Sequence, residues 1–244
     1  MTVLIILENM VYGRVFLHKL TIPEGYTLVQ IAVLIEEGGW GSRVEFLSIA
    51  KNPKFVKQCG FDGETLEGYL FPDTYYFSGD TPINKIILTL INRFKKAFSS
   101  KLEERTKKLG FSVNQAITLA SIIEKETGVP DERPLVSSVF HNRLQRKMRL
   151  ESDPTVIYGL EDFDGDIKSK DLNTPTPYNT YKRSGLPPGP IANPGIESIN
   201  AALYPARTDF LFFVSKKDHT HYFSKNFDEH RQAVEKYQLS GSKK

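Results

Sequence analysis

From Arg14 onward Val15, Leu17 and Leu20 stand among polar neighbours in loose alternation as far as Ile22, a pattern that predicts a strand ending at the Pro23-Glu24-Gly25 turn. The period then changes. Leu28, Ile31, Ala32 and Ile35 recur at three- and four-residue intervals, so a helix is expected behind Thr27, with Gln30 completing a capping box and Gly38 and Gly39 stopping it. Ser42 and Glu45 open a second helix carrying Val44, Leu47 and Ala50. The aromatic stretch from Tyr69 to Phe77 reads as an edge or interrupted strand, because Pro72 inside it cannot donate to a ladder. The order strand, helix, helix, strand describes a small module.

Thr81 to about Lys108 is one long amphipathic segment in which Ile83, Ile86, Ile87, Leu90, Ile91, Phe94 and Phe98 fall at helical spacing, and it is read as a bridge to the rest of the chain. Ser112 and Gln115 form another capping box. The helix they open carries Val113, Ala116, Ile117, Leu119, Ala120 and Ile123, ends in Glu124-Lys125-Glu126-Thr127, and is terminated by Gly128 and Pro130. Asp131 is expected to cap a helix through Leu144, and Asp153, before Pro154, a short helical turn through Tyr158. Six of the 14 prolines lie between Pro175 and Pro194, in an irregular stretch rich in Tyr, Asn and Gly; long segments of this kind inside compact domains are often functional. Phe210–Val214 and Tyr222–Phe223 pair as a hairpin across Lys216 to His219, Asp228 to Tyr237 forms a last helix, and Ser240 to Lys244 frays.

With 40% hydrophobic positions in 244 residues, there is enough apolar material for one sizeable domain and a smaller companion, and the pattern places the division at 1–80 and 81–244. The fold class expected is α+β: a small βααβ lobe, then a larger, mostly helical domain with a C-terminal β-hairpin. Charge nearly cancels to +3 without a long basic tract, so a nucleic-acid partner is not implied. Cys59 is alone and can form no intrachain disulfide. The longest apolar run near the start, Val3 to Leu7, is far short of the roughly 20 residues of a membrane span, and the chain as written reads as soluble.

The chemistry concentrates at the acidic end of the third capped helix. A carboxyl group on a helix beside apolar residues is readily kept protonated and can act as a general acid. Glu124 and Glu126 sit about 200° apart around the helix, so they cannot both face one groove, and one is expected at the surface. Helical geometry does not choose between them, since each borders the apolar arc. Metal chemistry finds little support. His219 and His221 share a face of the expected strand but lack a third ligand, and Asp162, Asp164 and Asp166 alternate as in a calcium loop without its closing Glu, because Leu172 stands there.

Several blocks in order resemble the endolytic murein transglycosylases of the MltG (YceG-like) family. They are Ile22-Pro23-Glu24-Gly25, Glu67-Gly68-Tyr69-Leu70-Phe71-Pro72-Asp73-Thr74-Tyr75, the Glu-Lys-Glu-Thr helix end and Ser138-Val139-Phe140-His141-Asn142-Arg143-Leu144. Then follow Ser152-Asp153-Pro154-Thr155-Val156-Ile157-Tyr158-Gly159, Tyr178-Asn179-Thr180-Tyr181 and Gly185-Leu186-Pro187-Pro188-Gly189-Pro190-Ile191. The resemblance implies that the small lobe is LysM-like and that the larger domain cuts the β-1,4 bond between N-acetylmuramic acid and N-acetylglucosamine, leaving 1,6-anhydro ends. It implies no cofactor and no metal, glycan strands as the partner, peptidoglycan synthases as further partners, and a place at the extracytoplasmic face of the inner membrane, although no anchor segment is recognised in Met1 to Gly13. The helix end is also similar to that of soluble lytic transglycosylases, where a catalytic Glu is followed directly by Ser; on that register Glu126, followed by the hydroxyl residue Thr127, takes the catalytic place, with Asp153, Tyr178, Asn179 and Tyr181 as groove residues. Two other functions fit the same pattern: a non-catalytic peptidoglycan-binding scaffold, and a lysozyme-like hydrolase with Asp153 as its second carboxylate.

Overall fold

The computed structural model describes residues 16–160 and 162–240. The start of the first expected strand at Arg14 and Val15, the apolar run Val3–Leu7 and the end of the tail lie outside the described residues. Strand β1 (Leu17–Ile22) pairs antiparallel with β2 (Asp73–Ser78), Leu20 opposite Tyr75 and Ile22 opposite Asp73. The alternation runs through Leu20 and Ile22, which are buried, whereas Leu17 faces outward at 51% exposure. The second strand begins only after Pro72, which removes Tyr69–Phe71 from the ladder; these residues enter the core as a loop instead.

Between the strands lie α1 (Leu28–Glu37), α2 (Arg43–Ala50) and α3 (Pro53–Gln58). The Thr27/Gln30 capping box is formed in full. In α2 the buried face is Phe46 and Ala50, while Val44, expected inside, is 78% exposed. Helix α3 was not anticipated, although Asn52 caps it through Lys54 and Phe55 N–H and Pro53 occupies its first turn, a local signal of a helix start.

The expected bridge is two helices, not one: α4 (Ile83–Ala97) and α5 (Ser100–Lys108), broken where Phe98 leaves helical geometry and stacks on Phe94, with Ser99 extended. Helix α4 packs against α2, and α5 against α6 (Val113–Glu126), which is capped by Ser112 and Gln115 as expected. A 3₁₀ turn at Pro130–Glu132 leads into α7 (Arg133–Gln145), so Asp131 lies inside that turn and does not cap the helix. Ser152, not Asp153, is the N-cap of α8 (Asp153–Gly159); Asp153 is its first residue. Helices α9 (Ser169–Asn173) and α10 (Ile196–Leu203) were not foreseen. The hairpin is β3 (Phe212–Ser215) with β4 (His221–Ser224), and α11 (Phe227–Val234) follows, widening into a π turn over Glu235–Leu239.

The class is α+β, with two small antiparallel sheets among the helices of the described residues, and a hydrophobic cluster runs from Leu20 through α1, α4, α6 and α7 to Leu203. Buried polar groups join its distant parts. Glu67 is 2% exposed and accepts from Leu28 N–H at the start of α1, from Tyr158 Oη at 3.1 Å and from Asn193 Nδ2 at 2.9 Å. Asn193 exchanges backbone bonds with the first turn, accepting from Gly25 N–H and donating to Tyr26. Gly68, at φ +88°, leaves no room for a side chain: a Cβ there would meet Pro190 and Ile117 at under 3 Å.

Candidate active site

Glu126 is the last residue of α6, and Glu124 and Glu126 leave that helix in opposite directions. Neither is at the surface, which corrects the expectation that one would be. Glu124 turns toward α10, where it accepts the N–H of Gly195, the cap of that helix, at 3.0 Å and pairs with Arg133 at 3.6 Å. It is a structural tie. Glu126 turns the other way, into a groove of about 360 Å³ whose walls include Arg143, Glu151, Asp153 and Tyr181, together with Phe212, Phe213, Phe227 and His230 of the C-terminal hairpin and helix.

The environment of Glu126 favours its neutral form. Removal from water raises its pKa to about 7, and the negative charge of Asp153 acts in the same direction; the hydrogen bond from Ser152 Oγ at 2.5 Å and the Arg143 guanidinium oppose the shift. The C-terminal end of a helix adds its partial negative charge to the same side of the balance. Asp153 receives the Tyr181 hydroxyl at 2.6 Å. Replacing Asp153 by Asn removes a negative neighbour, so Glu126 should then ionise at lower pH. Carboxyl NMR titration of the two proteins measures this, and an unmoved transition would show that the two charges do not interact.

Of the five residues expected in the site, Glu126, Asp153 and Tyr181 meet in the groove. Asn179 does not reach it: the side chain is fully buried, donating to the Leu172 and Thr174 carbonyls and accepting the Tyr181 N–H at 2.9 Å, so it shapes the loop that delivers Tyr181. Tyr178 packs edge-on against Tyr158, 4.8 Å between ring centroids, away from the groove walls. Thr180 joins the loop to the start of α8 through Ser152 N–H and Thr155 Oγ1.

Besides the apolar wall of Leu150, Phe212, Phe213 and Phe227, four polar residues at the groove were missed. Ser152 and Arg143 stand inside blocks whose family resemblance was evident, but nothing in the sequence assigned them a partner. Arg143 is buried and spans the groove floor, donating to the Leu211, Arg149 and Leu150 carbonyls and to Glu151, with its guanidinium 5.1 Å from the Phe212 ring. Glu151 holds a left-handed backbone at φ +50°, a conformation that costs a non-glycine residue about 1 kcal/mol or more and collects at functional sites. His230 is the fourth. As for the metal candidates, His219 sits in the hairpin turn at φ +70° while His221 begins β4 and bonds Glu132 at 2.6 Å, so the two do not share a strand face. Asp164 pairs with Lys168 and accepts Asp166 N–H, an acidic turn.

The family model for YceG-like proteins matches residues 1–236. An endolytic murein transglycosylase from Bacillus subtilis (strain 168) is 37% identical over 247 residues, which cover 94% of this chain and 68% of that protein. One from Streptococcus pneumoniae serotype 2 (strain D39 / NCTC 7466) is 32% identical, covering 89% of this chain and 44% of the relative, so the chain spans less than half the length of that protein. The crystal structure of a yceG-like protein from Listeria monocytogenes superposes with a TM-score of 0.82 at 38% identity, over 95% of this chain and 81% of that one.

Proposed function

Because the chain belongs to the YceG-like family, we propose that it is a lytic transglycosylase that cuts peptidoglycan glycan strands internally, with Glu126 as its catalytic acid and base. The observation that carries the assignment of Glu126 is a carboxyl group in an aromatic-walled groove that keeps its proton to about pH 7. Protonated Glu126 donates to the oxygen between N-acetylmuramic acid and N-acetylglucosamine, and the C1–O bond breaks toward an oxocarbenium ion. The carboxylate so formed accepts the proton of the muramyl C6 hydroxyl as that oxygen closes on C1, which returns Glu126 to its starting state. One proton passes from O6 to the departing oxygen, one C–O bond is exchanged for another, and neither water nor a cofactor is consumed.

The rest of the groove supports these steps. Asp153, held by Tyr181, supplies negative charge beside the developing cation, and the rings of Tyr181, Phe212 and Phe227 offer faces to the apolar sides of sugars. Arg143 and Glu151 hold the groove floor, and Asn179 sets the Tyr181 loop. The substrate is peptidoglycan. Residues 1–80 form a LysM-like lobe and 81–244 the catalytic domain; the enzyme works at the extracytoplasmic face of the inner membrane beside peptidoglycan synthases. No described helix is long and apolar enough to cross a membrane.

Asp153 also gives a lysozyme-like hydrolysis a specific footing, since its carboxylate shares the groove with Glu126. The product separates the readings. Peptidoglycan digested by the purified protein should yield fragments ending in 1,6-anhydromuramic acid, each one water lighter than a hydrolytic fragment and resistant to borohydride, with fragments from the middle of long strands appearing early. Reducible muramic acid ends would establish a hydrolase, and no fragments from a well-folded sample would leave a binding scaffold.

A further inference from the structure

We propose that His230 is a substrate-binding residue of this groove, donating a hydrogen bond from Nε2 to an amide carbonyl oxygen of the muramyl glycan; this rests on the transglycosylase reading above. The imidazole lines the same cavity as Glu126, although it comes from α11, at the far end of the chain. Its ring stacks on Phe212 at 5.1 Å and leans on Phe227 at 6.5 Å between centroids, so packing on two sides holds its plane. Nδ1 is buried and finds no hydrogen-bond partner among the described residues. Which ring nitrogen carries the proton is decided by what the other can bond, and a proton on Nδ1 would be an orphaned donor in a closed space. The neutral ring therefore holds its proton on Nε2, the one polar atom left to meet a ligand.

The surroundings also favour the neutral ring. Burial lowers its pKa, and the nearby Arg143 guanidinium lowers it again, against a weaker pull from Glu151. A neutral imidazole beside a cationic Arg143 is not suited to shuttle protons at pH 7, but it is suited to recognition: a rigid single donor in a groove where Arg143 bonds the Leu211, Arg149 and Leu150 carbonyls and Glu151, and the Tyr181 hydroxyl is held by Asp153. The glycan has amide carbonyls in its N-acetyl groups and where the lactyl group joins the stem peptide, and both are the acceptor such a donor selects.

The variants follow from shape. The amide nitrogen of Gln reaches about as far as Nε2, that of Asn only about as far as Nδ1, and Phe keeps the stack on Phe212 with no donor at all. On peptidoglycan, His230→Phe and His230→Asn should raise KM about tenfold with kcat within about twofold of the parent, as loss of one neutral hydrogen bond made equally before and during the reaction would. His230→Gln should recover most of that loss, and the pH profile should be the same in all. Binding is read separately by calorimetry in the Glu126→Gln background. Weaker binding of both peptidoglycan strands and chitohexaose by the Phe variant places the acceptor on an N-acetyl group, and weaker binding of the strands alone places it on the lactyl amide. If the Phe variant binds and turns over like the parent, or if Gln is as impaired as Phe with kcat lost and a limb of the pH profile gone, the proposal falls, the first outcome to a packing role and the second to proton transfer. Failure of the Glu126→Gln protein with His230 intact to bind any glycan would instead remove the reading on which the proposal rests.

Discussion

Glu126→Gln is expected to lower the rate of strand cleavage by about 10³-fold, within the span of about 10² to 10⁴ that a positioned acid contributes. The amide preserves size and polarity and can still receive the Ser152 hydroxyl, yet it can neither give up a proton to the leaving oxygen nor take one from the C6 hydroxyl, so both halves of the reaction lose their partner. The melting temperature should hold or rise, because a part-buried group that resists ionisation is replaced by one that never ionises. The wild-type pH dependence follows from the same carboxyl group. It must be protonated to start the reaction, so activity should fall as pH rises through about 7. Turbidimetric clearing of purified peptidoglycan across pH 5 to 9, with product mass analysis, measures both effects. Full activity in the Gln variant would move the acid to another residue, Asp153 and Glu151 being the other carboxylates of the groove.

The second large effect belongs to Glu67, outside the groove. Glu67→Ala should destabilise the protein by on the order of 3 kcal/mol, since it orphans Leu28 N–H and Tyr158 Oη and leaves one hydrogen of Asn193 Nδ2 unpaired, the other staying on the Tyr26 carbonyl. For a chain of this size that corresponds to a loss of about 10 °C in melting temperature. Burial raises the Glu67 pKa to about 7, against hydrogen bonds from Leu28, Tyr158 and Asn193 and the charge of Lys51 that favour the anion. The sign of the pH effect is therefore set. A carboxyl group whose folded pKa lies above its unfolded value, about 4.3, contributes stability that is complete below that value and is lost as pH rises through about 7. Glu126 acts in the same window, so wild-type stability should decline from pH 5 to 8, and Glu67→Gln should flatten part of that slope. Urea denaturation at a series of pH values tests this; a slope identical in wild type and Gln variant would show that Glu67 ionises alike in both states.

What the sequence determined by itself is what neighbours along the chain decide. The capping boxes at Thr27/Gln30 and Ser112/Gln115, the apolar faces of α1, α4 and α6, and the C-terminal hairpin are all set by residues within a few positions of one another, and each was legible for that reason. The break between α4 and α5 was not, because Phe98 continues the helical period and leaves the helix only to stack on Phe94. Helix α10 escaped notice because much of the face it buries is small, Ser198, Ala201 and Ala202, and offers no strong period.

The acidic helix end shows where legibility stops. Periodicity put both Glu124 and Glu126 on the border of the apolar arc and could separate them no further. The tertiary structure alone decides, because α10 docks beside α6 and its Gly195 N–H and the Arg133 guanidinium consume Glu124, while the groove formed by α7, α8 and the hairpin is left to Glu126. The same holds for Asn179, whose sequence context suggests a ligand contact and whose buried amide is spent on backbone carbonyls, and for His230, which has no partner pattern along the chain and acquires Phe212, Arg143 and Glu126 as neighbours only on folding. Local free energies of capping and periodicity are written in short windows of sequence. A shifted pKa and a groove are sums over atoms that distant segments bring together, and those sums exist only once the chain has packed.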